Sequence, residues 1–185
     1  SASALLNHSF NKNWKLNFNS SYQNYDREWK GTERIQITNP NGTWSRPLGQ
    51  NKNVEAILGE QISLQGCFKT GTIKHQIFSG IDYENSVATA HTFAFSPTNY
   101  DTINVFTFDP TNQTTTEPNA TNTQKVVTTT NRFGIYTQDL ISFTEKFKIL
   151  AGIRWSWQEA EALTHKLTVN PVTITKGTKL KDKAF

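Results

Sequence analysis

From Ile149 to Trp157 the chain reads ILAGIRWSW, and Ile149, Ala151, Ile153, Trp155 and Trp157 fall on every second position. A period of two belongs to an extended strand, whose successive side chains point to opposite faces. Just before it, GIYTQDLISF carries Ile135, Ile141 and Phe143 into a short turn at Thr144, Glu145 and Lys146. Residues 134–157 therefore read as a hairpin with one apolar face.

The same pattern occurs twice more. Ala4, Leu6, His8 and Phe10 lead to a turn at residues 11–13, and Trp14, Leu16, Phe18, Ser20 and Tyr22 lead away from it, opposite Lys15, Asn17, Asn19, Ser21 and Gln23. Val54, Ala56, Leu58, Ile62, Leu64 and Phe68 run to the turn KTGT, where Gly71 suits a positive φ. Ile73, Ile77, Ile81, Tyr83 and Val87 return from it, opposite Lys74, Gln76, Gly80, Asp82 and Glu84. The expectation is an all-β, antiparallel meander of about six long strands in three hairpins, one segment spanning residues 1–185. Residues 30–52, 91–126 and the tail from Thr164 lack sustained alternation and read as long polar connections.

Composition narrows the class. Of 185 residues 35% are hydrophobic and 12% aromatic, an aromatic-rich mixture for a compact soluble domain. The formal charge of +4 comes from scattered Lys and Arg, with no dense basic block, so nucleic acid is not a partner. A lone Cys67 excludes an internal disulfide framework and a multi-cysteine zinc site. The run ILAGI is far short of the roughly 20 residues of a membrane-spanning helix. SASALL has no secretory-signal pattern and the chain has no Met, which suggests a piece of something longer.

Short turns at one end and long polar connections at the other are the asymmetry of outer-membrane β-barrels. Aromatics gather at both ends of the strands: Phe10, Trp14, Phe68, Phe143 and Phe147 beside the short turns, and Tyr22, Tyr25, Trp29, Tyr83, Trp155 and Trp157 toward the other end. Two such belts suit the two interfaces of a lipid bilayer. The runs at 54–68, 73–88 and 147–158 meet the roughly 9–11 tilted residues needed to cross it.

GIYTQDLISFTEKFKILAGIRWS resembles a strand, turn and strand of TonB-dependent siderophore receptors, through Tyr136, Gln138, Asp139, Lys146, Gly152, Arg154 and Trp155. FKTGTIKHQIFSGIDYEN resembles another hairpin of that family, through Gly71, His75, Gly80, Asp82 and Tyr83. INVFTFDP is similar to an Asn-Val-Phe-Asp-Pro segment of ferrichrome-type members, with two extra residues before Asp109. The resemblance implies a partial segment of a 22-stranded transmembrane β-barrel whose lumen is closed by an N-terminal plug. It implies a ferric siderophore as ligand, a TonB complex contacted through the absent N-terminal region, and the outer membrane of a Gram-negative bacterium as location. The plug and energy-coupling box are absent from residues 1–185. Other readings are a porin or adhesin-type barrel and a secreted β-sandwich binding module.

No nucleophile elbow, HExxH, phosphate loop or dinucleotide fingerprint is present, so no catalytic residue is assigned and the chain is not read as an enzyme. His8, His75, His91 and His165 are too scattered in sequence to suggest a metal site, and no cofactor is called for, iron arriving only as a siderophore chelate. Sequons at Asn7, Asn19, Asn41, Asn112 and Asn119 follow from an Asn- and Thr-rich composition. Asp82, Glu84 and Arg154 share the wet parity and read as structural residues of the lumen, Arg154 as an ion-pair partner ahead of ligand contact. Asp139 shares the parity of Ile141, a conflict that a bulge would resolve. Ligand contact falls to the loops, where Trp44, Arg46, Phe93, Phe95, Tyr100, Phe106 and Phe108 are the candidates by position.

Overall fold

The computed structural model describes residues 1–33, 36–37, 40–111 and 116–184. Its elements are β1 (Ala2–Ser9), β2 (Trp14–Thr32), β3 (Gln36–Ile37), β4 (Thr43–Thr70), β5 (Ile73–Phe95), β6 (Asn99–Asn104), β7 (Ala120–Ser142), β8 (Lys148–Lys166), β9 (Thr173–Lys176) and β10 (Leu180–Ala184). The sheet order β1-β2-β4-β5-β7-β8-β10 follows the chain, with β3 and β6 flanking the start of β4 and β9 beside β8. All pairings are antiparallel.

The six expected strands are present, and all but β1 run well past their alternating cores. β4 starts at Thr43, β5 ends at Phe95 and β7 starts at Ala120, so much of the two expected long connections is strand. Both faces are wet there, which erases the period-two signal while backbone pairing continues. The tail is strand as well: β9 and β10 pair along β8, bridged by Gly177 N donating to Ala162 O at 2.7 Å. Lys176 pairs with Glu161 (2.8 Å), and Lys179 and Lys181 both reach Glu159. The sequon at Asn112 lies outside the described residues.

Register fixes the faces, because paired residues point to the same side. Leu16, Leu64, Ile62, Ile77, Ile81, Ile135, Ile149 and Ile153 share one side, and Asn17, Ser63, Gln65, Gln76, Gln138 and Gly152 share the other. Trp14, Phe68, Phe143 and Phe147 mark the turn end of the apolar face, Tyr22, Tyr83, Phe133, Trp155 and Trp157 its far end. Phe10 stands exposed in the first turn, edge-on to His8. Trp14 to Tyr22 is eight residues and Phe143 to Phe133 ten. At ~3.3 Å per residue and a tilt of ~40° these spans are about 20–25 Å tall, the height of an apolar transmembrane band. Tyr25 and Trp29 do not join the belt, since the unbroken β2–β4 register puts them on the polar side with Lys15 and Gln23.

Among the described residues no hydrophobic side chain is buried, so the sheet has no sandwich core. Buried positions are small residues: Ser63, Gly42, Gly49, Gly66 and Gly134. Large side chains lie across them, Trp14 over Gly66 and the Arg154 guanidinium over Gly134. Gly80 is covered in the same way by Tyr136, and a Cβ there would also sit 2.7 Å from the Ile62 carbonyl oxygen.

Polar groups on the apolar face come in cross-strand pairs. Ser20 donates to Glu60 (2.8 Å), Ser79 and Thr137 share a hydrogen bond (2.6 Å), and His75 Nδ1 donates to Asp139 Oδ2 (2.6 Å). No bulge occurs at Asp139, because β7 keeps one register against β5 and β8 throughout 133–142. The conflict is resolved by a partner instead. His75 is in turn stacked on Phe68 (4.7 Å between centroids), and Phe68 on Trp14 (6.5 Å).

Two outcomes follow for the full-length protein in a lipid or detergent host, read by urea or thermal unfolding. His75→Phe leaves the Asp139 carboxylate unpaired and lowers stability by about 3 kcal/mol, and His75→Phe with Asp139→Leu recovers most of it; equal losses in both variants would show that the pair does not matter. Gly80→Ala, which meets backbone, costs about 1–3 kcal/mol, whereas Gly134→Ala meets only side-chain ends, those of Arg154 and Asp82, and by loosening their exposed pair costs about 1 kcal/mol or less.

Candidate functional site

On the polar face Gly80, Asp82, Tyr136 and Arg154, which stand in two separate hairpins of the sequence, form one brace. Asp82 on β5, Gly134 on β7 and Ser156 on β8 lie in one register row, and Arg154 is two residues from Ser156. Because Gly134 has no side chain, Arg154 reaches across the whole of β7 and donates from Nη1 and Nη2 to Asp82, both at 2.8 Å. Its Nε donates to Ser156 Oγ (2.9 Å), and its guanidinium carbon is 5.6 Å from the Tyr136 ring. Tyr136 crosses Gly80 to accept a hydrogen bond from Gln61 Nε2 on β4 (3.1 Å). β4, β5, β7 and β8 are thereby tied by side chains as well as backbone. All three guanidinium nitrogens of Arg154 donate within the sheet, which suits a brace.

Glu84 pairs with a different cation from Asp82. Arg132 Nη1 pairs with it and Arg132 Nε donates to Gln158 (3.1 Å). A cavity of about 290 Å³ beside these pairs is lined by Asp82, Glu84, Arg132, Arg154, Gln158 and Asp182. The sequence analysis missed Gly134, Tyr136 and Gln61 as members of this network. Counting by twos from Asp82 and Arg154 under a meander register would have found Gly134.

The loop candidates divide into groups. Arg46 on β4 faces Asp101 on β6, with Nε to Oδ1 at 2.5 Å and Nη2 to Oδ2, and it lies 5.1 Å from the Tyr100 ring and 5.8 Å from the Phe108 ring. The hydrogen bonds to Asp101 hold Arg46 above its ordinary pKa. Trp44 is two residues along, opposite Ile103, and Phe106 lies over Gly42 with 76% of its surface exposed. Phe93 is stacked near His91 (6.3 Å), while Phe95 lies 5.9 Å from Lys30 Nζ, which pairs with Glu117 (2.8 Å). Trp44, Arg46, Phe93 and Phe95 all have the parity of the apolar face, continued beyond its far belt. On the same side Glu28 is held below the usual carboxylate range by hydrogen bonds from Lys52 and Gln50.

Tyr25, Arg27 and Trp29, by contrast, project from the polar face beyond the far belt. None of the three was grouped as a ligand residue in the sequence, where the rings were assigned to the belt by position along the chain.

Comparisons with known proteins agree with this geometry. The chain is similar in structure to the ferric-catecholate import receptor Fiu from E. coli K12 in an open form (TM-score 0.74, 16% identity, 98% of this chain and 30% of that one). It is similar to the siderophore receptor PiuA from Acinetobacter baumannii (TM-score 0.64, 17% identity, 98% and 28%). It is also similar to BauA, the ferric preacinetobactin receptor of the same species (TM-score 0.60, 18% identity, 95% and 26%). The chain thus spans under a third of each of these structures. No curated protein matches it in sequence. The model of the TonB dependent receptor-like β-barrel matches residues 1–183, and the chain belongs to that family as an open portion of its barrel wall.

Proposed function

We propose that the chain is one segment of the barrel domain of an outer-membrane receptor that binds a ferric siderophore and imports it in a Gram-negative bacterium. The observation that carries this reading is the two-faced register. One side is an apolar band closed by aromatics at both ends, at the height of a bilayer, and the other is a polar wall of paired charges. Family membership and three siderophore receptors among the similar structures support it.

In this reading Phe10, Trp14, Phe68, Tyr83, Phe143, Phe147, Trp155 and Trp157 meet the membrane interfaces. Asp82, Glu84 and Arg154 face the lumen as structural residues. A plug fills that lumen and carries the contact with the TonB complex, both supplied by regions outside residues 1–185. The iron is cargo held by the siderophore's own oxygen atoms, so the wall contributes rings, hydrogen-bond donors and charge. Tyr100, Phe106 and Phe108 are the candidates for such groups on the hairpins that rise above the membrane, whereas Trp44, Arg46, Phe93 and Phe95 continue the parity of the outward face.

The test is growth on a ferric siderophore as sole iron source by cells lacking their own receptors. The full-length protein restores growth only when a working TonB complex is also present. Uptake of small solutes that continues without that complex would make the barrel a porin.

A further inference from the structure

The polar face has a dry spot. Near the turns, Phe78 on β5, Leu140 on β7 and Leu150 on β8 share the parity of Gln76, Gln138 and Gly152. They stand in two neighbouring register rows. One runs Lys15, Gln65, Phe78, Gln138 and Gly152, and the next Cys67, Gln76, Leu140 and Leu150. The Phe78 ring also meets Tyr136 of the brace, at 5.4 Å between centroids. A cavity of about 600 Å³ opens here between Lys15, Gln65, Cys67, Phe78, Gln138 and Leu140. Phe78 and Leu140 lie on strands flanked on both sides, so the spot is not an open edge of the sheet.

A row of cations closes the spot toward the turns. Lys69, Lys74, Ser142 and Lys148 stand side by side on β4, β5, β7 and β8. Lys69 and Lys74 are direct cross-strand partners, and like charges so placed cost stability when nothing answers them. Neither lysine has an ion pair among the described residues, and the side-chain amides of Gln65, Gln76 and Gln138 make no hydrogen bond there. The nearby carboxylates are turned elsewhere. Asp139 projects from the opposite face and is taken by His75, and Glu145 lies in the turn beside Lys146. A dry centre within a ring of amides and a rim of one charge has the anatomy of a protein interface. Facing water alone, it would leave large apolar side chains and opposed lysines uncovered.

We infer that this surface docks a segment of the same protein from outside residues 1–185, one that sets apolar side chains against Phe78 and Leu140 and carboxylates against Lys69 and Lys74. The inference rests on the reading of the polar face as the lumen of a filled barrel. Lipid is not the occupant, because the apolar band lies on the opposite side of the sheet. The similar receptors carry most of their length outside the portion that this chain matches, which supplies the segment. The apolar contacts hold it, the glutamines bond its polar groups, and the lysines select for acidic neighbours.

The experiment treats the full-length protein in phosphatidylcholine vesicles with a zero-length carbodiimide, which joins an amine only to a carboxylate in contact with it, and maps the joined peptides by mass spectrometry. Lys69 or Lys74 is joined to an Asp or Glu of the same chain outside residues 1–185, with the Lys52–Glu28 pair as internal standard. In a second arm, Phe78→Asn with Leu140→Asn, and separately Lys69→Glu with Lys74→Glu, speed proteolysis of the joined segment about tenfold. Heat-modifiable gel mobility shows that the barrel of each variant is folded. Coupling of Lys52 to Glu28 with none from Lys69 or Lys74, coupling of these lysines to a different protein, or unchanged proteolysis overturns the docking site alone. A steady open-pore conductance of the full-length protein in planar bilayers overturns the filled-receptor reading together with it.

Discussion

A strand in hydrocarbon must find every backbone hydrogen-bond partner in its neighbours, because the solvent offers none. The meander β2-β4-β5-β7-β8 meets that demand with registers that hold one phase across the whole membrane band. Since side chains alternate, the same registers decide which residues meet lipid and which face the lumen. A slip of one position would move Arg154, Asp82 and Gln138 to the apolar face and the isoleucines to the polar one. The two functional surfaces of the wall are thus consequences of one backbone arrangement.

Side chains reinforce the register from both sides. On the polar face Arg154 and Tyr136 lie across Gly134 and Gly80 and reach the second strand away. On the apolar face His75 and Asp139 pair diagonally between β5 and β7 beneath an aromatic stack. A hydrogen-bonded pair costs far less in lipid than two single polar groups. Several residues that carried the family resemblance belong to these two arrangements, which gives the sequence pattern a mechanical meaning: Gly80, Asp82, Tyr136 and Arg154 are one brace, His75 and Asp139 one pair.

Much of the wall was legible from residues 149–157 and the matching runs, because there one face is dry and the other wet. Legibility stopped where both faces become wet. Thr43–Asn53, His91–Phe95 and Ala120–Val126 are strands without alternation, and only partner strands reveal them. Asp139 looked misplaced because its partner is 64 residues away in the chain, beyond the reach of any local pattern. Tyr25 and Trp29 were grouped with Tyr22 by nearness, although their odd numbers already set them with Lys15 and Gln23. Following parity through the wet part of β2 is what separates Tyr22, on the apolar face, from Tyr25 and Trp29 on the polar one.

The central claim is that alternate residues of one strand meet lipid and lumen. Nitroxide labels placed singly at residues 149–158 of the full-length receptor in a bilayer, in a Cys67→Ser background, test it most directly through collision rates with oxygen and with a polar nickel chelate. The account predicts oxygen maxima at 149, 151, 153, 155 and 157 and nickel maxima at 150, 152, 154, 156 and 158. Profiles without a period of two, or with the opposite phase, would contradict it.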